Sequence, residues 1–146
     1  MSLDDTTRAT LAALACEQTC TRMNVAFDMG QIDDGLACLT EDAAWHRPDG
    51  TLAGRDAIET YYRERRQDMV VCHVLTNFVV DFTSQAEATC SYYSTGYLNF
   101  RAEGAKLPVP MPAPGVIWRY TDTLRHDGSR WRVCDRRPVR LMEGTA

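Results

Sequence analysis

The stretch "VVCHVLTNFVVDF", residues 70–82, is dominated by β-branched and aromatic residues and contains neither glycine nor proline. That composition predicts a buried strand. On strict alternation Val71, His73, Leu75, Asn77, Val79 and Asp81 share one face. Cys72, Val74, Thr76, Phe78, Val80 and Phe82 share the other. Both faces are largely apolar, so both are expected to be covered. One of the chain's three histidines, His73, then stands in the middle of its most apolar strand. Two readings are open. His73 is a core residue bonded to backbone, or it is a general base, because imidazole beside a carboxylate accepts protons near neutral pH. Asn77, on the same face, either holds a substrate oxygen or satisfies a bulge in the strand.

Downstream lie three more β-rich runs: "AEATCSYYSTGYLNF" (86–100), "GVIWRYTDTLRH" (115–126) and "SRWRVCDRRPVRLM" (129–142). "TSQ" and "DGS" supply turns, so antiparallel hairpins are the simple solution. Prolines at 108, 110, 112 and 114 forbid a central strand there and predict a stiff exposed loop or edge segment. Upstream, residues 4–29 read as one helix with Leu11, Leu14, Gln18, Thr21, Val25 and Asp28 on one stripe and Gly30 as its stop. A short second helix fits residues 31–42. "AAWHR" (43–47) reads as a strand, "PDGT" as a turn, and "GRDAIETYYRERR" (54–66) as a third helix. Helices followed by antiparallel strands predict a single α+β domain over residues 1–146, with the helices on one face of the sheet.

The net charge of −4 argues against a nucleic-acid surface. The basic run "RERRQD" (63–68) alternates with acid and reads as a solvated last helical turn. Six cysteines include no C-x-x-C pair, so zinc is not expected. No run is apolar enough for a signal core or a membrane span. An intracellular, cytoplasmic protein with reduced thiols is therefore expected.

Asp28 poses the second question. A carboxylate in the last turn of a helix opposes the helix dipole. Either the helix frays and Asp28 is solvated beside Gly30, or it points into a pocket and pairs with a cation or histidine. Arg136 and Arg137 are adjacent, so a regular strand turns one inward, where it needs an anionic or oxygen-rich partner. Tyr61, Tyr62, Tyr92, Tyr93 and Tyr97 add phenols for packing or for a cavity rim. His46 and His126 are given no role.

Taken in order, "AFDMGQIDD", "EDAAWHRPDG", "GRDAIETYY", "CHVLTNFVV" and "RYTDTLRHDGSRWRVCDRR" resemble the SnoaL-like branch of the nuclear-transport-factor-like α+β cone proteins. The resemblance spans roughly residues 8 to 140. It implies a cone-shaped roll, in which a strongly curved antiparallel sheet carries about three N-terminal helices on its concave face around a pocket. Within the branch the chain is most similar to scytalone dehydratase, bile-acid dehydratase and hexachlorocyclohexane dehydrochlorinase. Those enzymes use an aspartate of the first helix and a strand histidine. Asp28 and His73 match that catalytic dyad. Asn77 and Arg136, with Tyr61 or Tyr62, match substrate-binding positions. The chain departs from scytalone dehydratase in having no histidine between His73 and His126 to serve as a second pocket histidine.

The resemblance implies a lyase or isomerase, dehydratase-like, needing no metal or other cofactor. The expected substrate is a small hydrophobic molecule such as a polyketide, steroid, terpene or xenobiotic ring, and the expected assembly a homodimer or homotrimer. The alternative is a non-catalytic small-molecule-binding or structural subunit of the same fold, with Asp28 and His73 as a buried structural pair. A cavity beside His73 favours the enzyme.

Overall fold

The computed structural model describes residues 2–144. Its first element is helix α1, Leu3–Asp28. Ser2 caps it: the serine side chain accepts from the Asp5 amide and the Asp5 side chain returns a bond to the Ser2 amide. The buried stripe of α1 runs through Cys16, Cys20, Met23 and Phe27. Leu11, Leu14 and Val25, expected inside, are instead at least half exposed. The burial is confined to the second half of the helix, where small thiols fit close against the sheet.

Helix α2 is Ile32–Ala37, shorter than expected, because strand β1 begins at Leu39 and runs to Arg47. The packing of α2 against the end of α1 needs Gly35, since a Cβ there would lie 2.5 Å from the Phe27 ring. Strand β2 is Gly50–Ala53 and forms a hairpin with β1. Helix α3, Arg55–Arg63, follows and packs on that hairpin. The four long runs become β3 (Met69–Ser84), β4 (Glu87–Phe100), β5 (Val116–His126) and β6 (Trp131–Glu143).

The fold is α+β. Its six strands form one curved sheet in the order β2-β1-β6-β5-β4-β3. The four long strands pair antiparallel as their spacing predicts, but β1 joins β6 in parallel, so the sheet is mixed. Helix α1 lies across β3, β4 and β6 and buries one face of the sheet. The other face of β3 stays open: Cys72, Val74 and Thr76 are exposed, against the expectation that both faces are covered. Residues 101–115, which carry the four prolines, form no regular element and are mostly exposed. Asn99 ties them down by donating its Nδ2 to the Pro110 carbonyl at 2.8 Å. Among the described residues no helix is long and apolar enough to cross a membrane.

Two irregularities set which side chains face inward. In β3 the pairing runs Thr76↔Tyr93 and then Val79↔Ser91, so Asn77 and Phe78 together oppose Tyr92. Asn77 sits at this bulge with φ of 59°, a left-handed conformation that asparagine tolerates. The inward set therefore switches from His73 and Leu75 to Phe78 and Val80. In β6, Cys134 is the extra residue between the pairs Leu124↔Val133 and Thr123↔Asp135. Beyond it Arg136 and Pro138 take the inward positions and Arg137 points out.

Candidate active site

A cavity of about 490 Å³ lies between the sheet and the helices, lined by α1, β1, α3 and the inner face of β3–β6. His73 and Asp28 meet in its wall. Asp28 Oδ1 lies 2.7 Å from His73 Nδ1, and Asp28 Oδ2 accepts the backbone amide of His73 at 2.7 Å. The carboxylate at the unfavourable end of α1 is thus held by two donors. The Asp28 side chain is 12% exposed and that of His73 27%. Opposite His73 across the ladder stands Gly96, where even a Cβ would come within 3.7 Å of the imidazole Cδ2 and Nε2. The ring lies over this bare stretch of backbone. Its Nε2 has no protein hydrogen-bond partner among the described residues.

Arg136 forms another part of the lining. It is 3% exposed, and beside it Asp122 is fully buried. Arg136 Nε donates to Asp122 Oδ1 at 3.2 Å, and its Nη2 donates to the Tyr92 hydroxyl at 3.3 Å. Tyr92 in turn donates to Asp122 Oδ2 at 2.6 Å, and Asn24 of α1 donates to Tyr92 Oη at 3.3 Å. Burial works against the Arg136 charge, but Asp122 together with Tyr92, Tyr120 and Tyr62 outweighs it and holds the guanidinium firmly protonated. Burial, reinforced by the Asp122 charge, pushes the Tyr92 phenol well above its ordinary range. The guanidinium also lies over the rings of Trp45, at 5.3 Å, and Tyr120, at 4.7 Å. The inward arginine therefore finds its anion in Asp122.

Aromatic rings make the remaining walls. Tyr62 stacks on Phe27 with centroids 3.8 Å apart, and Tyr61 meets Trp45 edge-on at 5.4 Å. Burial raises the Tyr62 phenol, so it remains an uncharged hydroxyl. Both tyrosines line the cavity. Arg47, Arg65 and Arg140 line it as well, a cationic contribution that sequence reading missed. The signal for Arg65 was its place beside Tyr61 and Tyr62 on adjoining helical faces. The run "RERRQD" is only partly a solvated turn: Arg63 pairs with Glu59 and Asp33, whereas Arg65 turns inward and donates to the Phe27 carbonyl at 2.9 Å.

Asn77 is the one candidate site residue that does not join this group. It is exposed at its bulge and absent from the lining. His46 forms a second histidine–aspartate pair, with Asp135 at 2.7 Å, but it lies outside the cavity. Among the described residues no three His, Cys, Asp or Glu side chains are grouped to hold a metal ion.

The SnoaL-like domain family matches residues 8–137. The chain belongs to the SnoaL-like domain family. Several solved structures share its shape. A scytalone dehydratase-like protein from Novosphingobium aromaticivorans is 20% identical, with a TM-score of 0.76 over 96% of this chain and 89% of that one. An NTF2-like protein with a cystatin-like fold, also from Novosphingobium aromaticivorans, is 19% identical, with a TM-score of 0.78 over 99% and 90%. A type 2 hexachlorocyclohexane dehydrochlorinase is 15% identical, with a TM-score of 0.75 over 92% and 88%. At these identities the likeness establishes the shared fold. No curated protein sequence matches this SnoaL-like chain.

Proposed function

We propose that this SnoaL-like protein is a cofactor-independent lyase or isomerase, dehydratase-like, that removes a proton from carbon on a small ring-bearing hydrophobic substrate. The observation that carries the reading is His73 Nε2, unpaired by protein and held beside Asp28 in the wall of an aromatic-lined cavity. Asp28 Oδ1 accepts the Nδ1 proton. That leaves Nε2 as the basic nitrogen and stabilises the imidazolium once it forms. The proton passes from carbon to Nε2. The C–H bonding pair becomes a double bond as a leaving group departs, or moves onto a carbonyl oxygen as an enolate. Arg136 and the Tyr61 and Tyr62 hydroxyls are the groups available to stabilise the developing negative charge.

Similarity in shape to a dehydrochlorinase and to a scytalone dehydratase-like protein supports this class of reaction. A ligand carrier of the same fold needs the cavity but not a basic Nε2. Incubating the protein with cyclic β-hydroxyketones in D₂O and following alkene formation and C–H loss by NMR separates the two. The wild type is expected to turn over members of the panel, and His73→Ala and Asp28→Asn to do so about 10²- to 10⁴-fold more slowly. Full activity in either variant would sink the general-base assignment.

A further inference from the structure

The charge of the cavity runs against that of the chain. The protein carries a net charge of −4, yet four arginines line the cavity against two aspartates, Asp28 and Asp49. Three of the four have carboxylate partners: Arg47 with Asp49, Arg136 with Asp122, and Arg140 with Glu143. Arg65 has none among the described residues. Its guanidinium makes one hydrogen bond, to the Phe27 carbonyl, and lies 5.6 Å from the centre of the Tyr62 ring, which leaves most of a five-donor fork unused. Arg65 is partly buried, and a partly desolvated guanidinium without an anion is unfavourable. Its anchor, Phe27, is the chain neighbour of Asp28, so the free cation sits at the same end of the cavity as the dyad.

We infer that the ligand of this cavity is an organic anion, a ring compound bearing a carboxylate that Arg65 receives while the ring lies against the aromatic walls. The inference rests on reading the cavity as a substrate site and names the substrate class for it. The planar fork of Arg65 matches a carboxylate through two parallel hydrogen bonds. The walls of Phe27, Trp45, Tyr61, Tyr62 and Trp118 match a flat ring. The volume of about 490 Å³ is in the range of sites that take small molecules. Neutral hydrophobic rings satisfy the walls but leave Arg65 without an anion.

The test is binding rather than turnover, read by quenching of tryptophan fluorescence and by titration calorimetry. The probes are 2-naphthoate and its uncharged analogue 2-naphthamide. Wild type is expected to bind naphthoate at least about tenfold more tightly than naphthamide. Arg65→Gln is expected to abolish that preference while leaving naphthamide affinity unchanged. Arg65→Lys is expected to restore part of it. His73→Ala should retain the preference, so loss of the general-base reading and loss of this one are distinguishable. Equal affinity for the two probes in wild type, binding of neither, or an unchanged preference in Arg65→Gln would each overturn the inference. Tighter binding of phenyl phosphate than of benzoate would overturn the carboxylate assignment.

Discussion

Asp28 holds His73 twice, accepting its backbone amide with one oxygen and its ring Nδ1 with the other, each at 2.7 Å. One carboxylate thereby fixes both the path of β3 and the orientation of the imidazole. Asparagine cannot replace it, because an amide group presents one oxygen and one N–H to two donors. Asp28→Asn is therefore expected to lower thermal stability as well as turnover, by about 1–3 kcal/mol for the lost charge-assisted bond. His73→Ala keeps the backbone bond and should lose turnover with a smaller loss of stability. Calorimetric melting of both variants checks the order.

The Arg136–Asp122 pair is buried, and Tyr92 bridges it by accepting from Arg136 and donating to Asp122. Removing only the anion strands a guanidinium out of water. Asp122→Ala is expected to cost about 3–5 kcal/mol in urea unfolding. Replacing both partners together with apolar residues of similar volume should recover most of that loss. A cost under about 1 kcal/mol for Asp122→Ala would contradict the described network.

Asn77 was a candidate substrate contact by its position on strict alternation, and the bulge removes it from that face. Its role is conformational. Asn77→Gly should preserve stability and turnover, since glycine adopts a positive φ freely. Asn77→Val should cost about 1–2 kcal/mol or more for forcing a β-branched residue into a left-handed conformation. The kcat of the folded fraction should not change. A large fall in kcat for Asn77→Gly would return the residue to the site.

Burial pushes the Cys16 thiol up from an ordinary 9.0 to about 12. The unfolded chain releases this proton first, so the folded state binds more protons between those values. Stability contributed by the neutral thiol is complete below pH 9 and is lost as pH rises toward 12. Urea unfolding across that alkaline window is expected to show a falling midpoint, and Cys16→Ala a shallower fall. At pH 8 a maleimide should label exposed Cys72 and leave Cys16 unmodified until the protein unfolds.

The long strands were legible because each carries its own local signal, and the same holds for three helices in sequence order. The parallel pairing of β1 with β6 was not, since residues 39–47 and 131–143 are joined by nothing in local spacing. Asp28 was singled out from a stripe that proved wrong in its apolar members. The true stripe uses cysteines, which periodicity counts barely weigh, yet both stripes bring Asp28 toward the sheet. His73 could be placed on a face but not given a purpose without Asp28 and the ordered motifs around it. Of the two readings open for Asn77, the structure takes the bulge; strict alternation could not choose between them, because a bulge is a property of two strands in register. Arg65 was hidden by its neighbours: in a basic run, the residue that turns inward is decided by where the helix ends, here at Arg63.

Strand β3 is the last in the sheet, so its outer backbone edge has no neighbouring strand to pair with. Asp28 occupies that edge at His73 and takes up a donor that a passing strand of another chain could otherwise claim. This backbone contact gives the aspartate a structural role that is independent of any reaction. If the imidazole were replaced, the aspartate would still hold the residue 73 amide at this open edge of the sheet.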